Sequence, residues 1–117
     1  MLKQNAKPWG AYRTVLQGSD YQVKRIEVKP GLRLSLQKHF QRAENWVVVE
    51  GRGVATLGKK VVPVKRGSVI QVPVGGVHRM QNTGKAPLVF IEVQLGDYLG
   101  EDDILRLEDD FNRAKNH

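Results

Sequence analysis

At 117 residues, the chain has room for one domain and one core. Hydrophobic residues make up 40% and charged residues 26%, a balance that excludes a disordered polymer. No apolar run approaches the roughly 20 residues needed to span a bilayer, and the absence of cysteine excludes disulfides and thiolate metal sites.

The start, MLKQNAKPWG, lacks the apolar stretch of a signal peptide, so a cytoplasmic protein is the simplest reading. The formal charge of +7 raises the question of nucleic acid. Lys24-Arg25, Lys59-Lys60, Lys65-Arg66 and Arg113 with Lys115 are scattered, with no basic arm and no interleaved aromatics. That argues against a nucleic-acid partner. The charge reads either as a solvated basic surface or as attraction of a phosphorylated or carboxylated small molecule.

In chain order, an N-terminal arm of about 19 residues precedes a run of β-branched segments separated by glycine and proline. The expected strands are Tyr21–Val28, Leu32–Lys38, Glu44–Val49, Arg52–Leu57, Lys60–Val64, Ser68–Val72, Val77–Asn82 and Leu88–Gln94. Eight strands with short links suit an all-β double-stranded roll, here about residues 20–96. A helix is expected at about 101–115, because Ile104, Leu107 and Phe111 fall at helical spacing behind Glu101, Asp102 and Asp103.

Two stretches carry chemistry. In Gly31-Leu-Arg-Leu-Ser-Leu-Gln37-Lys-His39-Phe-Gln-Arg-Ala-Glu44, strand alternation puts Ser35, Gln37 and His39 on one face, and a hairpin can bring Glu44 back against them. In Gly67-Ser-Val-Ile-Gln-Val-Pro73-Val-Gly75-Gly-Val-His78, a strand ends at a proline-glycine turn and His78 opens the next. Facing hairpins would unite Gln37, His39, Glu44 and His78 as ligands of a divalent metal. Zinc suits the nitrogen-rich set best, with manganese, iron, cobalt and nickel as alternatives.

These stretches resemble the paired motifs of the cupins, with Gln37 standing where the first histidine of a His-x-His pair is usual. That substitution resembles the type II phosphomannose isomerases. So do Lys7-Pro8-Trp9-Gly10, Arg42-Ala-Glu44-Asn-Trp46, Ile91-Glu-Val-Gln94 and Tyr98-Leu-Gly-Glu-Asp-Asp-Ile104. The resemblance implies a cupin double-stranded β-helix, a jelly-roll barrel, that binds metal through these four residues. It also implies a domain normally joined to a mannose-1-phosphate guanylyltransferase, and here standing alone. Arg42 matches an arginine that matters for isomerase activity in that family. Phe40, Gln41 and Asn45 depart from the family, which commonly has histidines there.

The implied activity is aldose–ketose isomerisation of a sugar phosphate, mannose 6-phosphate to fructose 6-phosphate. The alternatives are a non-catalytic cupin that binds a sugar or sugar phosphate through the same metal, and a metal-dependent oxygenase, against which Gln37 counts. Arg42 and Glu92 are the candidate catalytic residues, Glu92 by position only. Ser35 either touches substrate or bonds a neighbour, and Glu92 and Gln94 face either the pocket or solvent. Lys24 and Arg25 lie on opposite faces, so at most one reaches the cavity. Arg106 either binds phosphate or pairs with Asp102 or Asp110. Leu32, Leu34 and Leu36 would face outward and need a cover, from which a homodimer is expected.

Overall fold

The computed structural model describes residues 4–113, and every regular element among them is a strand. The strands are β1 (Asn5–Lys7), β2 (Gly10–Gln17), β3 (Tyr21–Val28), β4 (Leu36–Lys38), β5 (Ala43–Glu50) and β6 (Arg52–Leu57). They continue with β7 (Lys60–Lys65), β8 (Val69–Val72), β9 (His78–Asn82), β10 (Leu88–Leu95) and β11 (Leu105–Glu108). A six-stranded sheet runs β1-β2-β3-β10-β5-β8, and a five-stranded sheet runs β11-β4-β9-β6-β7. No described helix is long and apolar enough to cross a membrane.

The two inner faces share one core. Ile26, Trp46, Val48, Ile70 and Phe90 come from the larger sheet; Ala55, Val64 and Met80 come from the smaller. Strand register then sorts the interior into two ends. Phe90 in β10 lies opposite Ile26 in β3 and Val48 in β5, an apolar row. Glu92 lies opposite Lys24 and Trp46, and Gln94 opposite Gln22 and Glu44. Directly opposed residues point to the same face, so these rows turn one end of the roll polar. Across from them, Gln37 pairs in register with His78.

The expected helix at 101–115 does not form among the described residues; its last two positions lie outside them. β11 instead adds to the edge of β4, with Leu105 opposite Lys38 and Arg106 opposite Gln37. Long-range charge pairs outweigh the local periodicity. Arg33 donates from Nε and Nη2 to the Asp110 carboxylate at 2.8 Å each, and Arg79 reaches Glu108 at 2.6 Å. The three residues expected on one helical face separate: Ile104 lines a cavity, Phe111 packs on the core and Leu107 is exposed. We refer to residues 97–113 as the strap.

Two further expectations change. The N-terminal arm is part of the roll, because β1 and β2 extend the larger sheet and Trp9 is buried. The segment from Leu32 is regular only from Leu36; before that, Arg33 makes an isolated bridge to Gln81. That irregular stretch lets Leu32 and Leu34 pack against the core while Ser35, Gln37 and His39 remain buried. The apolar face from which a homodimer was expected is therefore partly covered within the chain. Exposed valines lie elsewhere, at Val47, Val49 and Val69.

Gly51 turns β5 into β6 at φ +82°, and a Cβ there would stand 2.4 Å from the Pro87 carbonyl oxygen. Gly51→Ala is expected to destabilise the fold by about 1–3 kcal/mol. Gly58→Ala, at φ +63° with no neighbour within 4 Å, should cost less. Urea unfolding of both variants measures the difference.

Candidate metal centre

His39 follows β4, Glu44 lies in β5 and His78 opens β9, so two strands and the loop after a third deliver one cluster. All three residues are buried, and one ligand atom from each lies within 4.8 Å of the others. His39 Nε2 stands 3.2 Å from one Glu44 oxygen and His78 Nε2 stands 3.7 Å from the other. The backbone fixes both rings. His39 Nδ1 lies 2.6 Å from the Asp103 carbonyl and His78 Nδ1 lies 2.9 Å from the Gly76 carbonyl. A carbonyl oxygen can only accept, so each Nδ1 carries a proton, and each ring turns its Nε2 toward Glu44.

The donor set fits a divalent metal: two imidazoles whose outer nitrogens are held, and one buried carboxylate. Gln37, buried and directly opposite His78, points to the same face. Arg42 is also buried. Its Nε donates to Glu44 at 2.9 Å, and Nη2 donates to His39 Nε2 at 3.2 Å.

Burial by itself would raise the Glu44 carboxyl, but His39, Glu92 and the charges of His78 and Arg42 outweigh it and hold Glu44 well below the usual carboxylate range. Burial and the adjacent Glu44 push Glu92 well above that range. Burial also lowers His78, in keeping with a neutral ligand. Two neighbouring carboxyls are thereby driven apart, as like charges in a dry site require.

A cavity of about 220 Å³ opens beside the cluster, lined in part by Lys24, Ser35, Gln37, Glu92 and Arg106. Of the paired alternatives, Lys24 is the buried one and Arg25 faces outward. Glu92 faces inward, with Trp46 Nε1 donating to it at 3.1 Å and Gln94 Nε2 at 2.7 Å. Gln94 is fully buried and accepts from Gln22 at 2.8 Å, so it supports Glu92 from behind. Arg106 pairs with neither Asp102 nor Asp110; Asp110 is taken by Arg33.

The departures from the family pattern avoid the cavity: Phe40 and Gln41 are exposed, and Asn45 lies on the opposite face of β5 from Glu44. Sequence reasoning missed Trp46, Gln22 and Asp103. Trp46 donates to Glu44 at 3.0 Å as well as to Glu92. It shares the strand face of Glu44 two residues away, as Gln22 shares that of Lys24, so alternation carried a signal for both. Asp103 gave none: it reads as a helix-starting acid, yet its carboxylate accepts from the Phe40 and Gln41 N–H groups at 2.8 and 2.9 Å.

A two-sheet roll with an inward His–Glu–His cluster defines a cupin, and a cupin-2 domain from Rhodospirillum rubrum superposes on it with a TM-score of 0.74. That match has 21% identity and covers 87% of this chain and 78% of the other, a likeness of fold alone. The chain belongs to the mannose-6-phosphate isomerase C-terminal family, whose sequence model spans residues 1–109. It is 51% identical over 108 residues to the xanthan biosynthesis protein XanB of Xanthomonas campestris pv. campestris, covering 92% of this chain and 23% of that protein. It is 46% identical over 114 residues to the mannose-1-phosphate guanylyltransferase ManC of Salmonella typhimurium, covering 97% and 24%. The chain thus spans less than a quarter of the length of these relatives.

Protein equilibrated with zinc and freed of excess is expected to retain one equivalent by elemental analysis, and a His39→Ala/His78→Ala double variant none. Stoichiometric metal in the double variant would place the centre elsewhere. Asp103→Ala keeps the carbonyl on the His39 ring but frees the two amides that follow it, and should weaken zinc binding about tenfold.

Proposed function

We propose that the chain is a metal-dependent aldose–ketose isomerase that interconverts mannose 6-phosphate and fructose 6-phosphate. The observation that carries this reading is a His–Glu–His cluster joined through the Trp46 indole N–H to Glu92, a buried carboxyl that lines a cavity beside Gln37 and buried or half-buried cations. Membership of the mannose-6-phosphate isomerase C-terminal family supports the substrate. The names of the relatives, which speak of xanthan biosynthesis and of mannose 1-phosphate, keep the reading within mannose chemistry. Guanylyl transfer is not assigned to a chain that matches so small a share of them.

Gln37, His39, Glu44 and His78 would hold the metal, with zinc the best match to two imidazoles. One neutral amide and one carboxylate leave a divalent site with net positive charge, which when bound supplies Lewis acidity toward a sugar oxygen. Isomerisation then requires a group that moves a proton between adjacent carbons. Glu92 is placed for this, with one oxygen held by Trp46 and the other by Gln94. Such fixed orientation is what general acid–base catalysis demands of a carboxyl. Arg42 supplies positive charge beside the reacting oxygens. Ser35, buried on the cavity wall, is a hydrogen-bonding group for the sugar.

Metal-loaded protein given mannose 6-phosphate, with fructose 6-phosphate detected by a coupled reaction, should show turnover. Glu92→Gln should lower kcat about 10²- to 10⁴-fold, and Arg42→Ala about 10²-fold or more. No turnover with zinc, manganese, iron, cobalt or nickel would overturn the isomerase reading and leave a sugar-phosphate-binding cupin.

A further inference from the structure

The cavity mouth carries more positive charge than the metal centre uses. Lys7, Lys24, Arg106 and Arg113 line it, against the carboxyls of Glu92 and Glu101. Two of these cations stand in contrasting situations. Lys24 is buried, 4% exposed, with its ammonium 4.3 Å from the centre of the Tyr12 ring. Its partner is Glu101 of the strap at 2.6 Å, a side chain that is 56% exposed. Arg106 has no ion pair among the described residues, and its Nε is shielded from solvent without a hydrogen-bond partner. Partial burial and the charge of Arg113 lower its pKa from the usual arginine value, while Arg113 itself is paired with Asp109.

A shielded guanidinium N–H left without an acceptor is costly. Arg106 lines the cavity, so an anion entering there would meet its guanidinium charge. The same anion would meet Lys24, where a single exposed carboxylate now stands. A phosphate dianion brings more charge and three free oxygens, and arginine's planar fork suits it. The strap need not leave for this exchange: Asp103 stays anchored on the Phe40 and Gln41 amides two residues beyond Glu101.

We infer that Lys24 and Arg106 bind the phosphoryl group of the ligand, and that Glu101 is a built-in competitor which this group displaces from Lys24. The ligand's sugar portion rests on the isomerase reading, but the anion site does not. The competition sets a threshold: a dianionic phosphoryl group displaces Glu101, whereas an unphosphorylated sugar does not.

Calorimetric titration of the zinc-loaded full chain with inorganic phosphate, mannose 6-phosphate and mannose tests this. Both phosphates should bind, and mannose at least about tenfold more weakly. Glu101→Gln should tighten inorganic phosphate severalfold, and Lys24→Met and Arg106→Met should each weaken it about tenfold or more. The His39→Ala/His78→Ala variant should still bind inorganic phosphate. Unchanged or weaker phosphate binding in Glu101→Gln overturns the inference, as does unchanged binding in Arg106→Met. Both positions lie outside the core, so the test stands even if Lys24→Met does not fold. Phosphate binding of the expected pattern without turnover would defeat the isomerase reading alone. Turnover with an unchanged KM for mannose 6-phosphate in Lys24→Met and Arg106→Met would defeat this inference alone.

Discussion

The structure turns on a single buried carboxylate. Glu44 is almost wholly removed from water, and a charge so placed is tolerated only where its surroundings answer it. Trp46, Arg42, His39 and His78 all direct polar atoms at its two oxygens. These come from neighbouring positions of β5, from the loop after β4 and from the start of β9, so the requirement spans both sheets. The apolar end of the roll, with Met80, Phe90, Leu88 and Val28 at zero exposure, supplies the rigid frame that makes such convergence possible.

Most of the roll was legible because strand alternation and glycine-proline punctuation are local signals. β3 and β6 begin and end where the sequence suggests, and most of the others differ by one residue at an end. The histidines and Glu44 were legible for the same reason, since alternation fixed their face and the turns fixed their approach. The strap was not. Its apolar spacing favours a helix, and the contacts that overrule it, Arg33 with Asp110 and Arg79 with Glu108, join residues far apart in the chain. The directions of Glu92 and Gln94 were equally open, because an alternating strand does not say which of its faces is inside. The register of β10 between β3 and β5 settles it.

Departures from a family pattern acquire meaning only once their direction is known. Phe40, Gln41 and Asn45 replace residues that are commonly histidine, which in sequence reads as damage beside a metal site. In the fold, the first two are exposed and the third sits on the outer face of β5. The inner surface retains its ligand atoms, its buried acid and its cations. Divergence has been confined to the side of the hairpin that the interior does not see.

Asp103 gives this small fold a form of long-distance coupling. One residue joins the strap to the His39 loop twice, through its carbonyl on the His39 ring and through its carboxylate on the next two amides. The strap and the loop after β4 are therefore tied together by these hydrogen bonds. Linkage is reciprocal: whatever orders His39 would steady the strap, and a strap held in place would steady His39. The setting of the His39 ring and the shape of the cavity mouth thus depend on the same residue.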